Sequence, residues 1–261
     1  TVFKYRKNNR GFEGISITPN GKIYAIIQSP ILYPSKSVGE ASRVHRIIEI
    51  DPVTNTQRMF AYLNDGIIGA SGPNQIRLRD WKIGDMAAIN DSTFLVLETA
   101  IRGTSDYRRL YEININQATP VHSGLYGGLT LEALVDSTGL ANKNIKPVTK
   151  KLTMDLLANG WPVSLEKPEG LAILNDSTIA ICNDNDYGQV SPLENGIGTA
   201  TGITSHLIAY GLSGLNKLNN FVAPAPPTLS QGVTGVNSSS TPYIKPSRFD
   251  VSFTSILTVQ D

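Results

Sequence analysis

One pattern recurs three times along the chain and restricts its fold more than any other feature: an acid beside a glycine, a short apolar strand, a polar turn and a second apolar strand. The first copy runs Gly11-Phe12-Glu13-Gly14-Ile15-Ser16-Ile17, turns at Pro-Asn-Gly, and returns through Ile23-Tyr24-Ala25-Ile26-Ile27. The second runs Ile83-Gly84-Asp85-Met86-Ala87-Ala88-Ile89, turns at Asn-Asp-Ser, and returns through Phe94-Leu95-Val96-Leu97-Glu98. The third opens Pro168-Glu169-Gly170-Leu171-Ala172-Ile173-Leu174, turns at Asn-Asp-Ser, and ends after Cys182 in Asn183-Asp184-Asn185-Asp186. Apolar runs joined by such turn residues are β-hairpins. Antiparallel pairing sets the first residue of one strand beside the last of the next, so Glu169 should meet the Asn183 to Asp186 run at one rim.

The opening acids Glu13, Asp85 and Glu169 lie 72 and 84 residues apart. That spacing exceeds the roughly 40 to 50 residues of a compact propeller blade and suits blades with long loops. Arg43 to Ile50, a turn at Asp51 to Asn55, and Gln57 to Leu63 complete a first four-stranded unit. Arg109 to Ile115 supplies a third strand to the second unit, with residues 119–122 as its candidate fourth. Leu129 to Leu134 and Lys150 to Leu157 suit short helices or edge strands equally. Thr204 to Tyr210 reads as a strand, residues 212–246 as a long Pro/Ser/Thr-rich loop, and Phe249 to Leu257 as a final strand. The expected architecture is all-β and β-propeller-like, with about three four-stranded blades and residues 1–261 forming a single domain or a propeller fragment. Three blades cannot close a ring and would leave exposed strand edges, so further blades or another chain are expected to complete a propeller of about six.

Several carboxylates at one channel mouth would repel one another and take up protons. Calcium accepts six to eight oxygens and would relieve that repulsion, so Glu13, Glu169, Asn183, Asp184 and Asp186 are candidate ligands of Ca2+. Three alternatives stand at this point: acids that only bond backbone N–H groups, a structural calcium, and a catalytic metal. His45, His122 and His206 are isolated, which argues against a His-rich zinc site. Gly-x-Ser-x-Gly, a phosphate-cradling Gly-Lys-Ser/Thr loop and a Gly-x-Gly-x-x-Gly turn are all missing. Cys182 falls inside a strand and reads as a buried apolar residue.

Taken together and in order, Gly-Phe-Glu-Gly-Ile, Ile-Gly-Asp-Met-Ala-Ala-Ile with Leu-Val-Leu-Glu, and Pro-Glu-Gly-Leu-Ala-Ile with Asn-Asp-Asn-Asp resemble the phytase-like family, also called "esterase-like activity of phytase". The resemblance covers about residues 10–186 and implies a β-propeller that hydrolyses phosphate or other esters at a calcium-loaded acidic rim. On that reading Glu13, Glu169 and Asp186 hold the metal and Asp85 or Glu98 is the base, the ion polarising the ester and activating water. Alkaline propeller phytases present basic residues to phosphate, for which Arg102 and Lys167 are the nearest candidates within the motifs. The alternative is a non-catalytic exported propeller, a binding scaffold with a structural calcium.

Composition adds mainly exclusions. A formal charge of +1 gives no bulk reason to expect nucleic acid or an anionic membrane as partner. Lys4, Arg6, Lys7 and Arg10 cluster near Phe3 and Tyr5, as a solvated edge or as a phosphate-binding patch. No run of 18 apolar residues exists, so no membrane-spanning helix is expected. The chain opens at Thr1 without a signal-peptide pattern in this numbering. Richness in Asn, Ser and Thr favours a secreted, periplasmic or cell-surface location. Asn90-Asp91-Ser92, Asn175-Asp176-Ser177 and Asn237-Ser238-Ser239 fit a glycosylation pattern, the first two being better explained as turns.

Overall fold

The computed structural model describes residues 2–188, 200–223 and 256–258. The chain is mostly β and forms three four-stranded sheets. The first holds β1 (Phe12–Ile17), β2 (Ile23–Ile27), β3 (Val44–Asp51) and β4 (Thr56–Leu63) in sequence order. The second holds β5 (Lys82–Ala88), β6 (Thr93–Arg102), β7 (Ser105–Asn114) and β8 (Thr149–Asp155). In the third, β9 (Pro168–Asn175), β10 (Thr178–Asn183) and β11 (Leu207–Gly211) are antiparallel, and β12 (Ile256–Thr258) runs parallel to β11. Short helices α1 (Lys36–Glu40) and α2 (Ser137–Ala141) lie in the connections.

The hairpins close as their turn residues dictate. Asn90 Oδ1 accepts the N–H groups of Ser92 and Thr93, and Asn175 Oδ1 accepts that of Ser177, so both Asn-Asp-Ser segments are side-chain-locked turns. The fourth strand of the second sheet is β8 rather than residues 119–122; Val121 makes only an isolated bridge to Met59. Of the Leu129 to Leu134 stretch, Glu132–Leu134 forms a 3-10 turn. Most of the 212–246 loop and of the expected final strand lies outside the described residues, as does Asn237-Ser238-Ser239.

Side chains alternate between the two faces of each strand, and this alternation builds two cores. Between the first and second sheets lie Tyr24, Ile26, Ile47, Phe60, Met86, Phe94 and Val96. Between the second and third lie Leu95, Leu97, Leu110, Met154, Ile179, Ile181 and Tyr210. Each such side chain contributes about 1.5–3 kcal/mol on burial. The first strands of the sheets, β1, β5 and β9, lie side by side in that order. The described residues form neither a closed barrel nor a closed propeller ring.

Glycine permits this close approach. A Cβ on Gly14 would stand 2.6 Å from the Met86 backbone N, and one on Gly84 would collide with the Pro168 carbonyl oxygen. The glycines beside Glu13 and Asp85 therefore have a packing reason, since only a residue without a side chain lets neighbouring innermost strands touch, whereas a Cβ on Gly170 would meet Cys182 Sγ within its own sheet.

Candidate functional site

Each opening motif carries a β-bulge. Phe12 pairs with Ile27 and Gly14 with Ile26, leaving Glu13 over. Ile83 pairs with Glu98 and Asp85 with Leu97, leaving Gly84 over. Cys182 pairs with Gly170 and Asn183 with Pro168, leaving Glu169 over. A bulge re-aims the extra residue's side chain away from the ladder. Glu13 and Glu169 are therefore equivalent, whereas Asp85 occupies the place the other two motifs give to glycine. The expectation of three acids at one matching position is corrected by this one-residue offset.

Glu13 and Glu169 are both pushed above the ordinary carboxylate range, first by burial and then by the charge of Asp184; Glu13 also raises Glu169. Lys82 opposes the shift at both. Neither carboxylate accepts a hydrogen bond from a described residue. Asp85 behaves differently. Its Oδ1 accepts the Met86 N–H at 2.7 Å and its Oδ2 the Leu171 N–H at 2.7 Å, stapling β5 to β9. Burial nonetheless lifts its pKa to about 6, with Glu13 adding to the rise.

Beside this acid row opens a cavity of about 470 Å³, lined by Lys7, Arg10, Arg77, Arg79, Lys82 and Lys167 together with Glu40, Asp80, Glu166 and Glu169. Three of its cations are already matched. Arg77 pairs with Asp80 at 2.8 Å, Arg79 with Glu40 at 3.2 Å, and Lys167 with Asp184 and Asp186. Lys7, Arg10 and Lys82 form no ion pair among the described residues. All three are held below their ordinary pKa by burial first, with Arg10 lowering both lysines. Arg10 reaches across to donate to Ser29 Oγ at 2.8 Å. Three under-compensated cations facing a half-buried glutamate make a pocket that favours an anion.

A family model, "Phytase-like: Esterase-like activity of phytase", matches residues 2–187. The chain belongs to the phytase-like family. No curated protein and no solved structure matches it. Family membership indicates a hydrolase-like function at a coarse level, and the site must supply anything finer.

As placed, the phytase-like chain's remaining rim residues are engaged with protein partners. Asn183 Oδ1 accepts the His206 N–H at 2.6 Å and its Nδ2 donates to the Thr204 carbonyl at 3.2 Å. Asp184 and Asp186 turn to Lys167, and Asp184 Oδ1 accepts the Asp186 N–H at 2.9 Å. Among the described residues no three His, Cys, Asp or Glu side chains stand close enough to hold a metal ion. In this arrangement the expected calcium ligands do not form a cage.

Glu98 is separated from the row altogether. It is fully buried and bonded by the Tyr62 hydroxyl, by Lys150 Nζ at 2.6 Å and by the Asp65 N–H at 2.9 Å. Lys150 also holds Asp65 at 2.6 Å, and Asp65 accepts from Arg109 and Tyr111. The structure thus brings Glu13, Asp85, Glu169 and Asp184 together and leaves Glu98 in a knot between the first two sheets. Lys82 and Arg10 were the site residues the motifs did not flag. The basic run from Lys4 to Arg10 was the one signal for Arg10, and half of it, Lys7 and Arg10, turns into the pocket, while nothing in the sequence singled out Lys82.

Proposed function

We propose that the chain hydrolyses anionic esters, phosphate esters foremost, in the basic pocket beside the acid row. The observation carrying this reading is the juxtaposition of Lys7, Arg10 and Lys82, none of which forms an ion pair among the described residues, with Glu169, whose carboxyl is biased toward its protonated form. The cations would hold the ester's anionic group and stabilise charge developing on its oxygens. A carboxyl held above its usual range can give a proton to a leaving-group oxygen and, once ionised, take one from attacking water. Family membership supports hydrolysis as the reaction type. A calcium ion spanning Glu13, Glu169 and Asp184 is a second reading, favoured by the mutual repulsion of those acids, and it would require Asp184 to leave Lys167 and the three carboxyl groups to draw closer than they stand.

Binding of inorganic phosphate, followed by calorimetry in chelator, tests the pocket without turnover. Lys82→Met should weaken binding about tenfold, the loss of one close charge contact. Unchanged affinity in that variant would remove the pocket from the account. Phosphate binding that appears only with calcium would favour the second reading, and binding without turnover on any ester would favour the exported scaffold.

A further inference from the structure

The second and third sheets share no ladder, so nothing in their strand pairing sets β9 against β5. Two close contacts do, and they bracket Glu169. On its N-terminal side, Gly84 of β5 lies against the Pro168 carbonyl oxygen, which a Cβ there would meet at 2.4 Å. The same Cβ would stand 3.3 Å from the Glu169 Cα. On its C-terminal side, Asp85 Oδ2 accepts the Leu171 N–H at 2.7 Å. Among the described residues this is the one hydrogen bond between β5 and β9.

The one-residue offset of the middle motif explains why that bond exists. At the bulge the first and third motifs leave over Glu13 and Glu169, whereas the second leaves over Gly84, so β5 adds no third glutamate to the row. Its acid comes one residue later, and both of its oxygens accept main-chain N–H groups, Oδ1 that of Met86 and Oδ2 that of Leu171. Such charge-assisted bonds are roughly twice as strong as neutral ones. Glu169 accepts no hydrogen bond from a described residue, so its carboxyl stands where the β9 backbone puts it. β5 also carries Lys82 into the pocket that Glu169 lines. One strand therefore supplies the cation and holds the strand that supplies the acid.

We propose that Asp85 is a positioning residue: its bond to the Leu171 N–H, together with Gly84 against Pro168, fixes the Glu169 carboxyl relative to Lys82 and the bound ester. The inference rests on hydrolysis in the basic pocket, and it gives Asp85 no proton to transfer. A misplacement of about 1 Å can cost about a hundredfold in rate. The staple therefore acts on kcat and leaves capture of the anion to Lys7, Arg10 and Lys82.

Turnover of an aryl phosphate in chelator tests this, with phosphate affinity and melting followed for each variant. Asp85→Ala should lower kcat by about tenfold to a hundredfold and leave phosphate affinity unchanged. Asp85→Asn keeps an oxygen for the Leu171 N–H without an ionisable proton, and should regain most of the loss. An Asn variant as slow as the Ala variant would make Asp85 a proton-transfer group and overturn the proposal. Lower melting with unchanged kcat would leave Asp85 merely structural and overturn it as well. Glu169→Gln in the same assay separates the two levels of the argument. If it loses kcat while Asp85→Ala keeps it, positioning alone fails; if it keeps kcat, hydrolysis at this acid fails and positioning with it. Asp85→Ser, whose oxygen stops one bond short of the Leu171 N–H, takes the place of an Ala variant that does not fold. Should the wild-type protein cleave no ester offered, a crystal structure of Asp85→Ala decides. A Glu169 carboxyl moved by about 1 Å or more supports the proposal, and an unmoved one overturns it.

Discussion

Two groups of carboxylates lie in this protein, one centred on the fully buried Glu98 and one at a partly exposed rim, and they differ in what answers their charge. In the knot between the first two sheets, Lys150 Nζ sits 2.6 Å from both Asp65 and Glu98 and 3.8 Å from the centre of the Tyr111 ring. Asp65 is consequently held below the usual carboxylate range despite burial, while burial of Glu98 keeps it above. In the acid row, Glu13 and Glu169 face Asp184 and each other, and the nearby Lys82 forms no ion pair with either. The knot satisfies its charges internally and so holds sheets together. The row leaves Glu13 and Glu169, and the neighbouring Lys7, Arg10 and Lys82, without an ion pair among the described residues, which is the condition under which a ligand gains most by binding.

The largest effect that could break this contrast concerns the knot. Lys150→Met removes the shared cation and leaves two buried carboxylates, at a cost of about 3–5 kcal/mol in urea unfolding near neutral pH. The cost should shrink toward acid pH, where Glu98 takes up a proton. A loss below about 1 kcal/mol would show that the knot is no stronger than a surface pair.

Asp85 sharpens the contrast from the other side. Its folded pKa of about 6 exceeds the unfolded value of about 3.9, so the folded state binds more protons between those pH values and its stability falls as pH rises through them. The full difference is at most about 3 kcal/mol, present below pH ~4 and lost above pH ~6. Asp85→Asn should abolish this part of the pH dependence. Parallel stability curves for the two proteins from pH 4 to 7 would contradict the raised carboxyl.

The smallest effect is expected at Lys167, whose pairs with Asp184 and Asp186 are largely solvent-exposed. Lys167→Ala should change stability by less than about 1 kcal/mol, measured by thermal unfolding. A larger loss would mean that the rim, like the knot, is a structural clamp.

How much of this was legible depended on whether the signal was local. Hairpins announced themselves through period-two alternation and Asn-Asp-Ser turns, whose side-chain bonds are made within three residues. The acid row was legible as recurrence, but Glu-Gly and Gly-Asp look alike in a string and differ by one position at a bulge, which only pairing register reveals. Lys7, Arg10 and Lys82 meet across some 70 residues of chain, and Asp65 meets Lys150 across 85. No spacing rule reports contacts of that range. Glu98 closed a strand like an active-site acid, and its partners Tyr62 and Lys150 carried no motif to say otherwise.

Turnover by Glu169→Gln tests the central claim most directly, because the substitution keeps the size of the side chain and removes its proton chemistry. On an aryl phosphate or another anionic ester that the wild-type protein cleaves, with chelator present, the account predicts a loss of about a hundredfold or more in kcat, together with unchanged melting and unchanged phosphate binding. A variant that retains wild-type kcat would contradict the acid row as the seat of the chemistry.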